Sequence, residues 1–322
     1  MSEVATTVGQ DLARRAERLM RAVVQAKASS GAVTAPGSPQ GAVNFRGVGG
    51  VPGLGGAVVR PGVVFRSGSL DGLTPLGWEQ LTSLGVRTVI DLRSPAESTA
   101  APTRPTEHQE VVNLPMWQEP TGAAAFTEEV FEQLPPGTSA AEALRIYSDA
   151  KVAGYKAMIR TFPRVFGGAV SILAHLAGQP ALVHCTAGKD RTGLVCAVVL
   201  AAVGVGEAEI VEDYLCSRDG ISPEAIERYR GSLQRLGIPL AEFLPLCGAY
   251  LPALIGAFDE IALVGGSVEG YLCGAGGVSL AELEQLRSAL LDPGTAEQGN
   301  VPSPVRHGTT TSFRPRGAAH ER

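Results

Sequence analysis

In His184-Cys185-Thr186-Ala187-Gly188-Lys189-Asp190-Arg191-Thr192 a thiol ends one apolar run and an arginine opens another. Residues 180–184 read as a buried strand and residues 191–203 as a helix, so the polar segment is a strand-to-helix joint. Such a joint must curl, and Gly188 permits the sharp bend. A curled loop at a helix N-terminus turns its backbone N–H groups toward one spot, which then favours an anion. The same focus favours the thiolate of Cys185, a ready nucleophile. Arg191 can close its fork on two oxygens of a tetrahedral anion. The expected reaction is in-line attack by Cys185 on a phosphomonoester, loss of the alcohol, and hydrolysis of the thiophosphate by water. Arg191 and the backbone of Thr186, Ala187, Gly188 and Lys189 would hold the equatorial oxygens. Thr192 stands where its hydroxyl can serve the sulfur, and His184 orients the loop. The scheme needs neither a metal nor another cofactor.

The departing oxygen needs a proton, and a carboxylic acid near the loop would supply it. Asp190 is one source, because a carboxylate beside a phosphate dianion has its pKa raised. It could equally be the N-cap of the helix that Arg191 opens. Asp91, at the end of "VRTVID", is a second source, with a salt bridge to Arg93 as its alternative role. Asp149, in a helical context, is a third. Arg66 and Arg93 also end strand-like runs. They either add positive field at the site or pair with Asp91 or a helix C-terminus.

The elements that must position this loop follow an α/β pattern. "NFRGVGGVPGLGGAVVRPGVVFRSGSL" has short strand-like runs broken by Gly and Pro, a hairpin signature. "TPLGWEQLTSLGV" opens with a Thr cap and a Pro and stops near Gly85, as a helix would. Residues 86–94 and 109–115 are further strands, and 140–177 are helical with a break near Pro163. Alternation of strands and helices implies a mostly parallel central sheet flanked by helices. Beyond residue 205 the pattern is almost wholly helical and too apolar to stand apart, so it should pack on the sheet or cover the site. Residues 11–27 read as an amphipathic helix, docked on the domain or open to a partner; residues 28–42 look like a linker and 293–322 like a disordered tail.

The chain has 322 residues, 44 % of them hydrophobic and 18 % charged, as expected of a globular protein. A net charge of −5 argues against general binding of nucleic acid, so any anion site must be local. Five cysteines without a C-x-x-C pair suggest neither a disulfide framework nor a zinc site, and the other four read as small buried hydrophobes. Arginines occupy the place of a signal peptide's apolar core, and "GLVCAVVLAAVGVG" is too short to span a bilayer. The expectation is a cytoplasmic protein without stable membrane insertion, with a signal-independent export route left open.

"HCTAGKDRTG" resembles the signature loop of cysteine-based protein tyrosine phosphatases, and its Lys189-Asp190 pair resembles the atypical bacterial and fungal branch. "NFRGVGG", "RPGVVFRSGSL", "LTPLGWEQLTSLGVRTVIDLRSPAE" and "GGSVEGYL" resemble that branch's framework segments, in its order, over roughly residues 43–291. The resemblance implies a phosphatase-type α/β fold in residues 43–292 and a helical lid within residues 205–275. It implies phosphotyrosine as substrate, with phosphoserine, phosphothreonine and phosphoinositides accepted by some members, and position 190 as the acid. The Trp-Pro-Asp loop of the common tyrosine phosphatases is not matched, since Trp117 is followed by Gln118, Glu119 and Pro120. Lys189 fits a second headgroup phosphate of a lipid, or simply a firmer hold on one phosphate. The rival readings are a phosphoinositide-specific phosphatase, a rhodanese-type sulfurtransferase, which His184 and the G-K-D-R-T-G run disfavour, and a non-catalytic phosphate-binding module, which would lack Cys185 or Arg191.

Overall fold

The computed structural model describes residues 11–23, 37–117, 130–217 and 223–292. Five short strands make the central sheet: β1 (Arg46–Val48), β3 (Val64–Ser67), β6 (Ala181–His184), β4 (Thr88–Asp91) and β5 (Glu110–Asn113), in the spatial order β1-β3-β6-β4-β5. β1 runs antiparallel to β3 and the other four strands are parallel. A separate ribbon pairs β2 (Val58–Val59) with β7 (Leu291–Asp292), so the end of the domain is tied back to its start. β2 keeps the local hairpin expected from sequence, through the antiparallel Pro52–Val58 bridge and the bonds Gly50 N to Val59 O at 2.7 Å and Val59 N to Val51 O at 2.9 Å, and takes the last strand as a second partner.

The period of two along each strand sorts side chains onto two faces. Leu182, Val89 and Phe65 join Trp78 and Leu81 of helix α1 (Pro75–Ser83) in one cluster. Ala181, Val183, Ile90 and Val64 join the larger cluster on the opposite face. That cluster takes in helices α4 (Pro163–His175), α5 (Asp190–Ala202), α6 (Glu207–Leu215), α9 (Leu251–Gly265), α10 (Val268–Cys273) and α11 (Leu280–Leu290), with the C-terminal half of α3 (Ala140–Thr161). α3 and α4 meet at Pro163, where a proline can begin a helix but not continue one. Between β4 and β5 lies a helix that the sequence reading passed over, α2 (Pro95–Ala100), closed by a Ser94–Glu97 capping box.

The expected lid across 205–275 divides. α6, α9 and α10 bury Ile210, Tyr214, Leu254, Phe258 and Tyr271 in the main core, so they are walls of the domain. The apolar segment Leu240–Gly265, 26 residues, is long and apolar enough by composition to cross a bilayer, but its second part is a core helix packed on α3. Helices α7 (Pro223–Leu236) and α8 (Leu240–Cys247) instead share a second, aromatic cluster: Phe131, Tyr147, Tyr229 and Phe243. Phe131 stacks on Tyr147 at 5.0 Å, and Tyr229 tilts onto Phe243 at 4.8 Å.

Residues 11–23 are helical; Leu12 and Val23 are buried in the main core and Arg15 bonds Asp259 of α9 at 2.8 Å. Residues 37–42 are not a free linker, since Gln40 bonds Gln80 and Thr74 at the ends of α1. The remainder of the expected linker, the end of the helix over 11–27, and the tail at 293–322 lie outside the described residues.

Candidate active site

The C-terminal ends of the parallel strands meet at one edge, where Ser67, His184, Asp91 and Asn113 stand side by side in register. This is the edge at which parallel sheets bind ligands. Cys185 follows β6 there, buried and unpaired, and α5 begins at Asp190.

The loop is fastened from one side through its carbonyls. Ser69 N donates to Thr186 O at 2.8 Å. Asn44 Nδ2 donates to Ala187 O at 3.1 Å and Gly188 O at 3.0 Å, and Arg66 Nη2 donates to Gly188 O at 2.9 Å. Arg46 Nη1 donates to Asn44 Oδ1 at 2.6 Å, which turns the amide nitrogen of Asn44 toward the loop. With trans peptides, carbonyls drawn to one side send the next N–H groups to the other. The amides of Ala187, Gly188 and Lys189 therefore face away from these fasteners, and none of them donates a hydrogen bond among the described residues. Gly188 has φ +67°, and a Cβ there would lie 2.4 Å from the Ser67 carbonyl. The curl thus requires glycine twice over, for its dihedral and for the close approach of β3.

Arg191 is buried, and its two terminal nitrogens meet the two oxygens of Glu97, each at 2.7 Å. Glu97 also accepts from Thr186 Oγ1 at 2.6 Å and from Ser94 N at 2.8 Å. The second N–H of each terminal nitrogen makes a longer contact, to Leu92 O at 3.4 Å and to Thr186 Oγ1 at 3.3 Å, while the Glu97 pairing fixes the plane of the fork. Burial opposes the Arg191 charge, but Cys185 and Glu97 outweigh it and raise its pKa above the ordinary value. Trp117 lies against the same guanidinium, 5.2 Å from ring centroid to carbon.

Asp190 is the first residue of α5 and not its cap; Lys189 holds the cap position without a side-chain capping bond. The carboxylate is engaged elsewhere. Tyr155 donates to Oδ1 at 2.5 Å, Lys189 Nζ stands 3.4 Å from Oδ2, and Lys151 Nζ 3.8 Å from Oδ1. Burial acts to raise its pKa, but Lys189, Lys151 and the Tyr155 phenol outweigh it and hold the group below the ordinary carboxylate value. The raised value expected from sequence applies beside a bound dianion; in the protein alone the nearest charges are the two ammonium groups, and they set the downward direction.

Lys189 bonds the Cys247 carbonyl at the end of α8, and Lys151 donates to Leu246 O and Gly248 O at 2.7 Å each. Both lysines thus tie the α8 end to the loop. Burial, then Lys189, drives the Lys151 pKa down to about 7.

The supporting residues resolve as follows. Asp91 is 1 % exposed and bonds Arg93 through both oxygens, at 3.0 Å from Nε and 2.8 Å from Nη2, so it has no oxygen directed at the loop's amide face. Arg93 spends its remaining donors on Ser69, Ala101 and Thr103. Arg66 pairs with Asp213 and holds the loop from beneath. Both arginines are structural ties rather than a field open to substrate. Asp149 is exposed on α3 and pairs with Arg145. His184 Nδ1 lies 3.2 Å from Cys185 O; since a carbonyl only accepts, that nitrogen carries the proton. Burial outweighs Asp91 and pushes the His184 pKa down to about 4, so the ring is neutral at pH 7. Thr192 Oγ1 is buried without a hydrogen-bond partner, so its expected bond to the sulfur is not made.

Sequence reasoning missed Glu97, Trp117, Asn44, Lys151 and Tyr155. For Glu97 a signal existed: Ser94-Pro95-Ala96-Glu97 is a capping-box pattern that places a carboxylate at the end of β4. The others carry no local signal. Among the described residues no three His, Cys, Asp or Glu side chains are grouped to hold a metal ion.

Residues 38–292 match the sequence pattern of the tyrosine phosphatase family. The chain is 34 % identical over 279 residues to the triple specificity protein phosphatase PtpB of Mycobacterium tuberculosis, a match covering 78 % of this chain and 97 % of the relative. It is 33 % identical over 249 residues to a Cupriavidus necator protein provisionally named a tyrosine-protein phosphatase, covering 74 % and 84 %. A tyrosine-protein phosphatase of Nostoc commune matches 36 residues at 56 % identity, 11 % of this chain and 12 % of the relative.

Proposed function

The chain belongs to the tyrosine phosphatase family, and from that premise we propose that it hydrolyses phosphotyrosine in proteins through a thiophosphate on Cys185, with Asp190 as the acid. The supporting observation is the loop itself. Its carbonyls are drawn to one side by Ser69, Asn44 and Arg66, its amides face the other, and Arg191 is set square by Glu97. A phosphate dianion on the amide face meets oriented dipoles and a fixed guanidinium, the arrangement that stabilises charge moving onto equatorial oxygens. The Cys185 thiolate forms the S–P bond as the P–O bond to the tyrosyl oxygen breaks, and that oxygen takes a proton from Asp190, which the bound phosphate dianion favours in its protonated form against the two ammonium groups. In the second step Asp190 accepts a proton from water, whose oxygen attacks phosphorus and releases the thiolate and inorganic phosphate. The buried Thr192 hydroxyl, in the first turn of α5, has its donor uncommitted and can serve the departing sulfur.

The headgroup reading of Lys189 has weaker support, because the ammonium bonds the Cys247 carbonyl and sits beside Asp190. Breadth beyond phosphotyrosine accords with the triple specificity for which the Mycobacterium tuberculosis relative is named. The test is turnover of a phosphotyrosine peptide, phosphoserine and phosphothreonine peptides and soluble phosphoinositides by wild type and Cys185→Ser. The expected result is fastest turnover of the tyrosine peptide, inhibition by vanadate but not by EDTA, and loss of turnover with retained peptide binding in the variant. Faster turnover of phosphoinositides would replace the substrate assignment. Activity surviving in Cys185→Ser, or thiocyanate formation from thiosulfate without phosphate release, would overturn the mechanism.

A further inference from the structure

Asp190 sits at the end of a directed run of hydrogen bonds. The Tyr250 N–H can only donate, and it reaches Tyr214 Oη at 3.1 Å. The Tyr214 hydroxyl lies 2.7 Å from Tyr155 Oη and 3.4 Å from Tyr250 O, so the shorter contact takes its proton. The Tyr155 hydroxyl, having accepted from Tyr214, gives its own proton to Asp190 Oδ1 at 2.5 Å. Tyr155 and Tyr214 are both buried, and their rings meet edge to face at 6.4 Å and 88°. The Tyr214 ring lies so close to Gly193, in the first turn of α5, that a Cβ there would be 3.0 Å from it. The run is therefore braced against the helix that carries Asp190.

We infer that Tyr155 is a positioning residue for phosphoryl transfer: its phenol occupies Asp190 Oδ1, so that Oδ2 is the oxygen that carries and delivers the proton. A carboxyl group holding a donated hydrogen bond on one oxygen binds its own proton on the other. Oδ2 is the oxygen beside the Lys189 ammonium, whereas Oδ1 meets Tyr155 and Lys151 of α3. Burial raises the pKa of both phenols, which keeps them hydrogen-bond donors throughout the working range. The other groups facing Asp190 are Lys189 and Arg191 beside it in sequence, Lys151 and Tyr147 of α3, Tyr214 of α6 and Cys247 of α8. Replacing Tyr155 leaves all of them in place.

The inference rests on the reading of Asp190 as the acid, and leaving-group dependence separates the two. Wild type, Asp190→Asn and Tyr155→Phe are compared on p-nitrophenyl phosphate, whose leaving group needs little protonation, and on phenyl phosphate, whose leaving group needs much. Asp190→Asn should lose about a hundredfold on phenyl phosphate and far less on the activated ester. Tyr155→Phe should show the same split at about tenfold, and the basic limb of its kcat profile should move to higher pH, because a donor to the carboxylate is gone. Equal losses on both esters with an unmoved basic limb would make the phenol a packing group and overturn the inference while Asp190 stands. Asp190→Asn without a split would overturn both. If Tyr155→Phe proves too unstable to assay, Tyr214→Phe removes the donor to Tyr155, together with the acceptor of the Tyr250 N–H, and leaves the Tyr155–Asp190 bond in place. It should give a smaller split of the same sense, and a uniform loss there overturns the inference.

Discussion

Glu97→Gln tests whether the phosphate grip is aligned by the neighbouring helix. The carboxylate accepts two bonds from Arg191 at 2.7 Å, one from Thr186 at 2.6 Å and one from Ser94 N at 2.8 Å. Burial favours the neutral acid, but Arg191, Thr186 and Ser94 outweigh it and hold the pKa at about 2, against an ordinary 4.5. A folded value below the unfolded one gives stability that is complete above the unfolded pKa and is lost as pH falls toward the folded one. At about 1.4 kcal/mol per unit the contribution is at most ~3 kcal/mol, and about 2 kcal/mol once solvent screening of a side chain 20 % exposed is allowed for. A glutamine retains one acceptor oxygen but turns an NH2 group toward the guanidinium, leaving a buried cation under-paired. The variant should therefore unfold in urea with a stability about 2 kcal/mol below wild type at pH 7, and the gap should close by about 1 kcal/mol at pH 3.5. Its kcat/KM on a phosphotyrosine peptide should fall at least about tenfold, since a misaligned fork costs orientation. A gap that is unchanged between the two pH values, or a variant with wild-type kcat/KM, would refute the role given to Glu97.

Three further outcomes follow from the same geometry. Gly188→Ala places a Cβ 2.4 Å from the Ser67 carbonyl at φ +67°, so turnover should drop by more than about a hundredfold with the far-ultraviolet circular dichroism unchanged; near-normal turnover would mean that the loop is not pressed on β3. Trp117→Leu removes the ring against Arg191 and should cost about 1 kcal/mol, roughly fivefold in kcat/KM; no change would show the contact to be incidental. Lys151 loses its proton near pH 7 when folded but keeps it to about 10.5 when unfolded, so its contribution to stability rises between those values. Measured by urea unfolding from pH 7 to 9, wild type should gain on Lys151→Met as pH increases, and a constant difference would contradict the burial assigned to the ammonium.

The loop and its place in the chain follow from the local order of residues. Strand, curl and helix are contiguous, and each has a local cause: the β-branched and apolar run into His184, the positive φ that Gly188 supplies, and the apolar run after Arg191. The parallel strands and the break at Pro163 were legible for the same reason, because alternation and proline geometry act over a few residues. The partner of each charged group, in contrast, is fixed by packing between distant elements. Glu97 finds Arg191, Tyr155 finds Asp190, and Asn44 and Arg66 find Gly188, across separations of 35 to 144 residues. Asp91 and Arg93 turn to each other and away from the loop. Local pattern sets backbone conformation, whereas the partner of a buried charge depends on which distant side chains the packed sheet edge brings within bonding distance. An ion taken out of water must find such a partner wherever the fold supplies one.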